Sequence, residues 1–149
     1  MRLLSAAGIS YTVKEYQVDE SDLSAVHAAE SLGMPAEQVF KTLVLQGASG
    51  SYVVCCIPAN CELDLKKAAK AAKEKSVGLV QVKDILPLTG YVRGGCSPIG
   101  MKKQFPTFID ETALLFDAIS VSAGERGVQV IVSPEELAGF LKAEFADLV

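Results

Sequence analysis

The sequence predicts an α/β (α+β) domain: a mixed, largely antiparallel β-sheet surrounded by helices. Three observations predict it. Two apolar runs of strand length, "VFKTLVLQG" (39–47) and "SYVVCCIP" (51–58), flank the turn "GASG" as a hairpin does. Helical stretches with start and stop signals are interspersed among further strands. At 149 residues, half of them hydrophobic, the chain has the size of one domain, 1–149, with a real core.

In chain order, "YTVKEYQV" (11–18) alternates as a strand, and "SAVHAAESLG" (24–33) reads as a helix stopped by Gly33. Pro35 opens the turn "PAEQ", and the hairpin follows. Asp64 is placed to cap a helix through "LKKAAKAAKEK", with Lys66, Lys70 and Lys73 on one face. "VGLVQV" (77–82) is a strand, and "KDILPLTG" a helical turn ending at Gly90. "TFID" and "AISVSAG" are strands around a short helical piece, "ETALLF", and "VQVIV" (128–132) is the last strand. Ser133, Pro134 and Glu136 form a strong helix start. The helix "PEELAGFLKAEFADLV" is expected to run on from there, with Leu137, Phe140, Leu141 and Phe145 as its apolar stripe.

Composition narrows the function. No apolar run approaches the roughly 18 residues that span a bilayer. The opening "MRLLSAAGISYTVKEYQ" lacks the pattern of a signal peptide, so a cytoplasmic protein without a membrane partner is expected. Cys55, Cys56, Cys61 and Cys96 show no CxxC spacing, and His27 is the sole histidine; no metal site is expected. The adjacent Cys55 and Cys56 should face opposite sides of their strand as reduced thiols.

Net charge is −4, yet residues 66–103 hold nine of the fourteen Lys/Arg and only Glu74 and Asp84 among the acids. That local excess suits a basic face meeting phosphate on an otherwise acidic body, or lysines that merely solvate a surface. Lys41 is different. It interrupts the strand "VFKTLVL" between apolar neighbours, and alternation puts it on the face of Val39 and Leu43, away from Phe40 and Thr42. A cation kept beside a core needs a partner, and an anionic ligand would supply one.

"GYVRGGCSPIGMKK" (90–103) is a glycine-rich loop able to turn sharply and offer backbone groups to a ligand. It is neither a P-loop nor a dinucleotide fingerprint. A second glycine turn, "SAGERG" (122–127), carries Arg126, which could meet an acid or phosphate. No GxSxG or HExxH occurs, and the sequence shows no protein-borne catalytic triad. An enzyme of this kind would bind and polarise a substrate whose bond is already labile.

Taken in order, "VFKTLVL", "LDLKKAAKA", "GYVRGGCSPIG", "KKQFPTFID" and "VSAGERG" resemble the YbaK/EbsC family of free-standing aminoacyl-tRNA deacylases, relatives of the editing domain of prolyl-tRNA synthetase. The resemblance covers nearly the whole chain. It implies that editing-domain fold and hydrolysis of the ester joining a wrong amino acid to tRNA(Pro). It implies no metal or cofactor. The family lysine falls on Lys41 and the substrate-embracing loop on Gly94, Gly95, Cys96, Ser97 and Pro98. Its backbone amides are expected to position the aminoacyl group and stabilise developing charge. A pocket tyrosine falls on Tyr16, a serine on Ser122, and Thr42 and Arg126 complete the expected substrate contacts. Lys67, Lys70, Lys73, Lys102 and Lys103 are the candidates for the tRNA backbone.

The form GGxSP is most similar to the subgroup acting on Cys-tRNA(Pro), in which the substrate's own thiol attacks. Deacylation of Ala-tRNA(Pro) or a Ser/Thr-charged tRNA, or a non-catalytic RNA-binding module, are the alternatives. Prolyl-tRNA synthetase is the expected partner for delivery. Three departures bear on pocket polarity: Cys96 replaces a small aliphatic residue, Glu125 a basic one and Gln129 an acidic one. Residues 19–28 do not align securely with the family, and no site is assigned there.

Overall fold

A computed structural model describes residues 2–149. Two sheets, rather than one, carry the fold. The first is antiparallel, in the order β1 (Tyr11–Glu15), β7 (Val128–Val132), β6 (Ile119–Ser122). The second is mixed: β4 (Val77–Leu79), β2 (Phe40–Gly47), β3 (Tyr52–Pro58), β5 (Thr107–Asp110), β8 (Glu144–Ala146). Within it β2 pairs antiparallel with β3 and β4, whereas β5 runs parallel to β3 and β8. A bridge between Val39 and Ser120 joins the sheets where β2 begins.

The helices start where the sequence expects. Ser24 caps α2 (Ala25–Leu32), and Asp64 caps α3 (Leu65–Ala72) by accepting from the Lys66 and Lys67 amides. Ser133 and Pro134 open α5 (Pro134–Leu141). α1 (Arg2–Ala6) precedes β1, and α4 (Val82–Thr89) accommodates Pro87 at the loss of one helical hydrogen bond. "PAEQ" and "ETALLF" become short 3-10 turns at Ala36–Gln38 and Glu111–Leu115.

Several ends differ from the expectation. β1 stops at Glu15 and β4 at Leu79. α3 stops at Ala72, where Lys73 turns left-handed (φ 58°), so Lys73 leaves the face of Lys66 and Lys70. The last helix stops at Leu141 with Lys142 left-handed (φ 55°), and Glu144–Ala146 is a strand. The open edge of β5 takes that segment. Leu148, fully buried, then donates its amide to Asp110 Oδ1 at 2.9 Å. Pairing with an existing edge outweighs local helix preference.

Strand alternation divides the interior. Phe40, Val44, Val54 and Cys56 face the larger core, with Val121, Val130, Ile109 and Leu137. Leu45, Val53, Cys55 and Ile57 face a second core under α3. Cys55 and Cys56 thus point to opposite sides, each thiol pushed up to about 12 by burial. Among the described residues no helix is long and apolar enough to cross a membrane, and no cluster of three His, Cys, Asp or Glu could hold a metal.

Candidate active site

A cavity of about 590 Å³ opens where the two sheets meet. β2 supplies Lys41 and Thr42, the glycine loop Gly94 and Cys96, β6 Ser122, β7 Gln129, and the end of β1 Tyr16. Residues some eighty positions apart in sequence therefore share one wall.

Lys41 lies across from Ile57 in the hairpin and is partly buried. Its Nζ donates to the Ala59 carbonyl at 3.3 Å. Among the described residues no carboxylate stands within ion-pair distance of it. Lys41 is one of the residues lining the cavity, and its charge has no ionic partner among the described residues. Thr42, one residue on, approaches Cys56 Sγ at 3.8 Å.

The glycine loop is held from behind. The Gly95 amide donates to Val92 O at 3.0 Å, and Ser97 Oγ accepts from the Ile99 amide at 3.1 Å. Gly95, Ser97 and Pro98 are buried and do not line the cavity. Gly95 packs tightly on the second glycine turn: a Cβ there would stand 3.2 Å from the backbone of Glu125 and Arg126, so a side chain would have to push that turn away by a few tenths of an ångström. Tyr91 locks the two turns together. Its hydroxyl donates to Ile99 O, and its ring lies so close to Gly124 that a Cβ there would meet it at 2.8 Å.

Arg126 is outside the cavity too. Its Nε donates to Arg93 O at 2.8 Å and its Nη1 pairs with Glu20 at 3.1 Å. It ties the glycine loop to the segment after β1, and the expected substrate contact gives way to that tether. Cys96 does line the cavity, but burial pushes its thiol up to about 11. At neutral pH about one thiol in ten thousand would be ionised, a poor nucleophile.

The candidate tRNA lysines lie away from the cavity. Lys70, Lys73, Lys102 and Lys103 are exposed. Lys67 is already engaged: its Nζ pairs with Asp147 and donates to the Val149 carbonyl at 2.5 Å. That leaves Lys67 a structural role.

Sequence reasoning missed most of the lining. Ser21, Asp22, Leu23, Ser24 and Ala25 form one rim, from the stretch to which the sequence reading assigned no site. Leu79, Val80, Val82 and Ile85 form an apolar wall no local pattern marks. Arg93, beside the glycines of the loop, was legible and passed over.

The comparisons with known proteins give the family and the fold. A family model described as an aminoacyl-tRNA editing domain matches residues 20–140. The chain is 47% identical over 148 residues to EbsC of Enterococcus faecalis, provisionally named a Cys-tRNA(Pro)/Cys-tRNA(Cys) deacylase, covering 99% of this chain and 90% of that one. The crystal structure of a provisionally assigned trans-editing enzyme for prolyl tRNA synthetase superposes with TM-score 0.84 at 26% identity, over 99% and 92% of the two chains. That of the hypothetical protein APE2540 gives 0.89 at 23%, over 99% and 96%, and speaks for the fold alone.

Proposed function

The chain belongs to the aminoacyl-tRNA editing domain family, and we propose that it hydrolyses the ester linking a wrong amino acid to tRNA(Pro), with Cys-tRNA(Pro) as preferred substrate. The observation that carries this reading is the seat of Lys41. It is a partly buried cation whose only acceptor among the described residues is a neutral carbonyl, on the wall of a cavity within the roughly 300–1,000 Å³ typical of small-ligand sites. An anionic or strongly polar ligand completes it, and the terminal phosphate and ester of an aminoacyl-tRNA are such groups. The Gly94 and Cys96 edge of the loop positions the aminoacyl end beside it.

The nucleophile belongs to the substrate. Cys96, the thiol lining the cavity, is held protonated, so the cysteinyl thiol of the bound substrate is the better attacker. The exposed lysines 70, 102 and 103 take the tRNA backbone. Prolyl-tRNA synthetase delivers the tRNA in this reading, supported by a trans-editing structural relative, and the setting is the cytoplasm, where charged tRNA is used.

The test is deacylation of Cys-, Ala-, Ser- and Pro-tRNA(Pro) by the purified protein. Fast loss of cysteine with proline spared is expected. Pockets separate side chains by only about 1–3 kcal/mol per methylene-sized change, so alanine or serine preferred over cysteine would move the substrate and keep the reaction. Binding without hydrolysis of any of them would leave an RNA-binding module.

A further inference from the structure

Ser120, Ser122 and Gln129 stand on one face of the β6–β7 hairpin, Ser122 directly across from Gln129 and Ser120 two residues before it. All three are more than nine-tenths buried, at 0%, 8% and 6% exposure. Ser120 Oγ lies 2.7 Å from Gln129 Oε1. Among the described residues that is the one side-chain partner of the Ser120 hydroxyl. A sealed hydroxyl proton needs an acceptor, and an amide oxygen accepts where an amide nitrogen cannot. Reversing the amide would strand that proton, so Ser120 decides which way Gln129 points.

Gln129 Nε2 is then turned from Ser120 with its two protons free. No described side-chain nitrogen or oxygen sealed from solvent lacks a partner, so this nitrogen opens on the cavity that Gln129 lines. Beside it, Ser122 Oγ accepts from the Gly124 amide at 3.2 Å, which leaves the Ser122 proton to give. Opposed residues in an antiparallel pair have Cβ atoms about 4.5–5.5 Å apart, close enough for two donors to meet one oxygen. Neither donor suits an α-ammonium. The carboxylate among the lining residues is Asp22, exposed on the rim.

We propose that Ser122 and Gln129 form a paired-donor site for the carbonyl oxygen of the bound aminoacyl ester, with Ser120 as the positioning residue. This rests on the deacylase reading above. As the substrate thiol adds to the carbonyl carbon, the carbonyl π pair moves onto this oxygen and both donors hold it. The pair returns as the bond to the ribose oxygen breaks, that oxygen departs with the proton the thiol gave up, and water then opens the cyclic thioester left behind to give free cysteine. Of the glycine loop's amides, that of Gly95 is already engaged, with the Val92 carbonyl.

The test is single-turnover deacylation of Cys-tRNA(Pro) between pH 5 and 8, each rate divided by wild type at the same pH. Gln129→Met, which keeps the length and loses the donor, should fall about 10²-fold at every pH. Gln129→Glu should fall as far at pH 8, where a carboxylate opposes the oxygen. It should recover at least tenfold toward pH 5, as the carboxyl regains a proton to donate. Ser120→Ala should lower kcat with KM little changed. In the wild-type protein, the Gln129 side-chain amide NMR signals should shift when a stable amide analogue of cysteinyl-adenosine binds, which decides the matter even if a variant fails to fold. Gln129→Met within threefold of wild type, a Gln129→Glu defect independent of pH, or unmoved amide signals would overturn the paired-donor site. Shifted signals with no deacylation of any tRNA(Pro) by wild type would keep the binding site and overturn the enzymatic reading.

Discussion

Lys41 and Lys67 are the same residue in two settings, the mouth of the cavity and the outer side of α3. Lys67 reaches Asp147 and the Val149 carbonyl, and the carboxylate beside it raises its pKa above the ordinary 10.5. Its charge is answered within the chain. Among the described residues Lys41 has one acceptor, a neutral carbonyl at 3.3 Å, and it lines the cavity. Sequence composition marks Lys67 more loudly, since it belongs to the basic segment, whereas Lys41 is a single interruption of an apolar strand. What separates a functional cation from a structural one is whether the fold has already spent its charge.

The sharpest way to break this contrast is at Lys41. Lys41→Ala should cut Cys-tRNA(Pro) deacylation by at least about 10²-fold, the effect of removing one electrostatic stabiliser. The fold should survive, because the truncation removes an unpaired charge and little packing. Circular dichroism with single-turnover kinetics measures both; a near wild-type rate would make Lys41 a snorkelling surface residue.

A smaller effect is expected on the outer surface. Lys102→Glu with Lys103→Glu should weaken binding of every tRNA alike, by about tenfold at moderate salt, and flatten the salt dependence of the affinity. Filter binding across a salt series reads both. An unchanged slope returns these lysines to a solvated surface.

Cys96→Ala probes whether the cavity's own thiol competes with Lys41 for importance. The activity should stay within about tenfold of wild type, roughly 1.4 kcal/mol in barrier. Trapping an acyl group on Cys96 by mass spectrometry would reverse that.

Lys67→Ala should be the mildest. Deacylation should be unchanged and Tm lowered by at most about 2 °C, as for exposed pairs generally. Because pairing raises the Lys67 pKa, its stabilisation is complete below the ordinary 10.5 and is lost as pH rises through the folded value. Melting curves of the two proteins should therefore differ at neutral pH and converge at strongly alkaline pH. A tRNA-binding defect in Lys67→Ala would restore it to the binding face.

Much of the fold was legible because its signals are local. Ser24, Asp64 and Ser133 cap helices through amides two or three residues away, and the "GASG" hairpin closes on itself. The end of the chain was not. "AEFADLV" continues a helical pattern, and its conversion to a strand is decided by the β5 edge more than thirty residues earlier. At the site, Lys41 and the glycine loop stand out as violations of strand and loop norms. Arg126 and Ser97 look alike as candidates on paper, and the structure gives both to the scaffold.

By itself the sequence determined the hairpin, the caps, the opposed cysteines and a lysine set in an apolar strand. Those depend on alternation and on hydrogen bonds spanning a few residues. Only the tertiary structure decided that residues 21–25 and 79–85 wall the same cavity, that Lys67 is neutralised by Asp147, and that Ser120 turns the Gln129 amide toward a ligand. Each of these depends on which distant group arrives beside a side chain to accept its proton or meet its charge. Closing two sheets on one another brings those groups together, and no single stretch of the chain encodes that meeting.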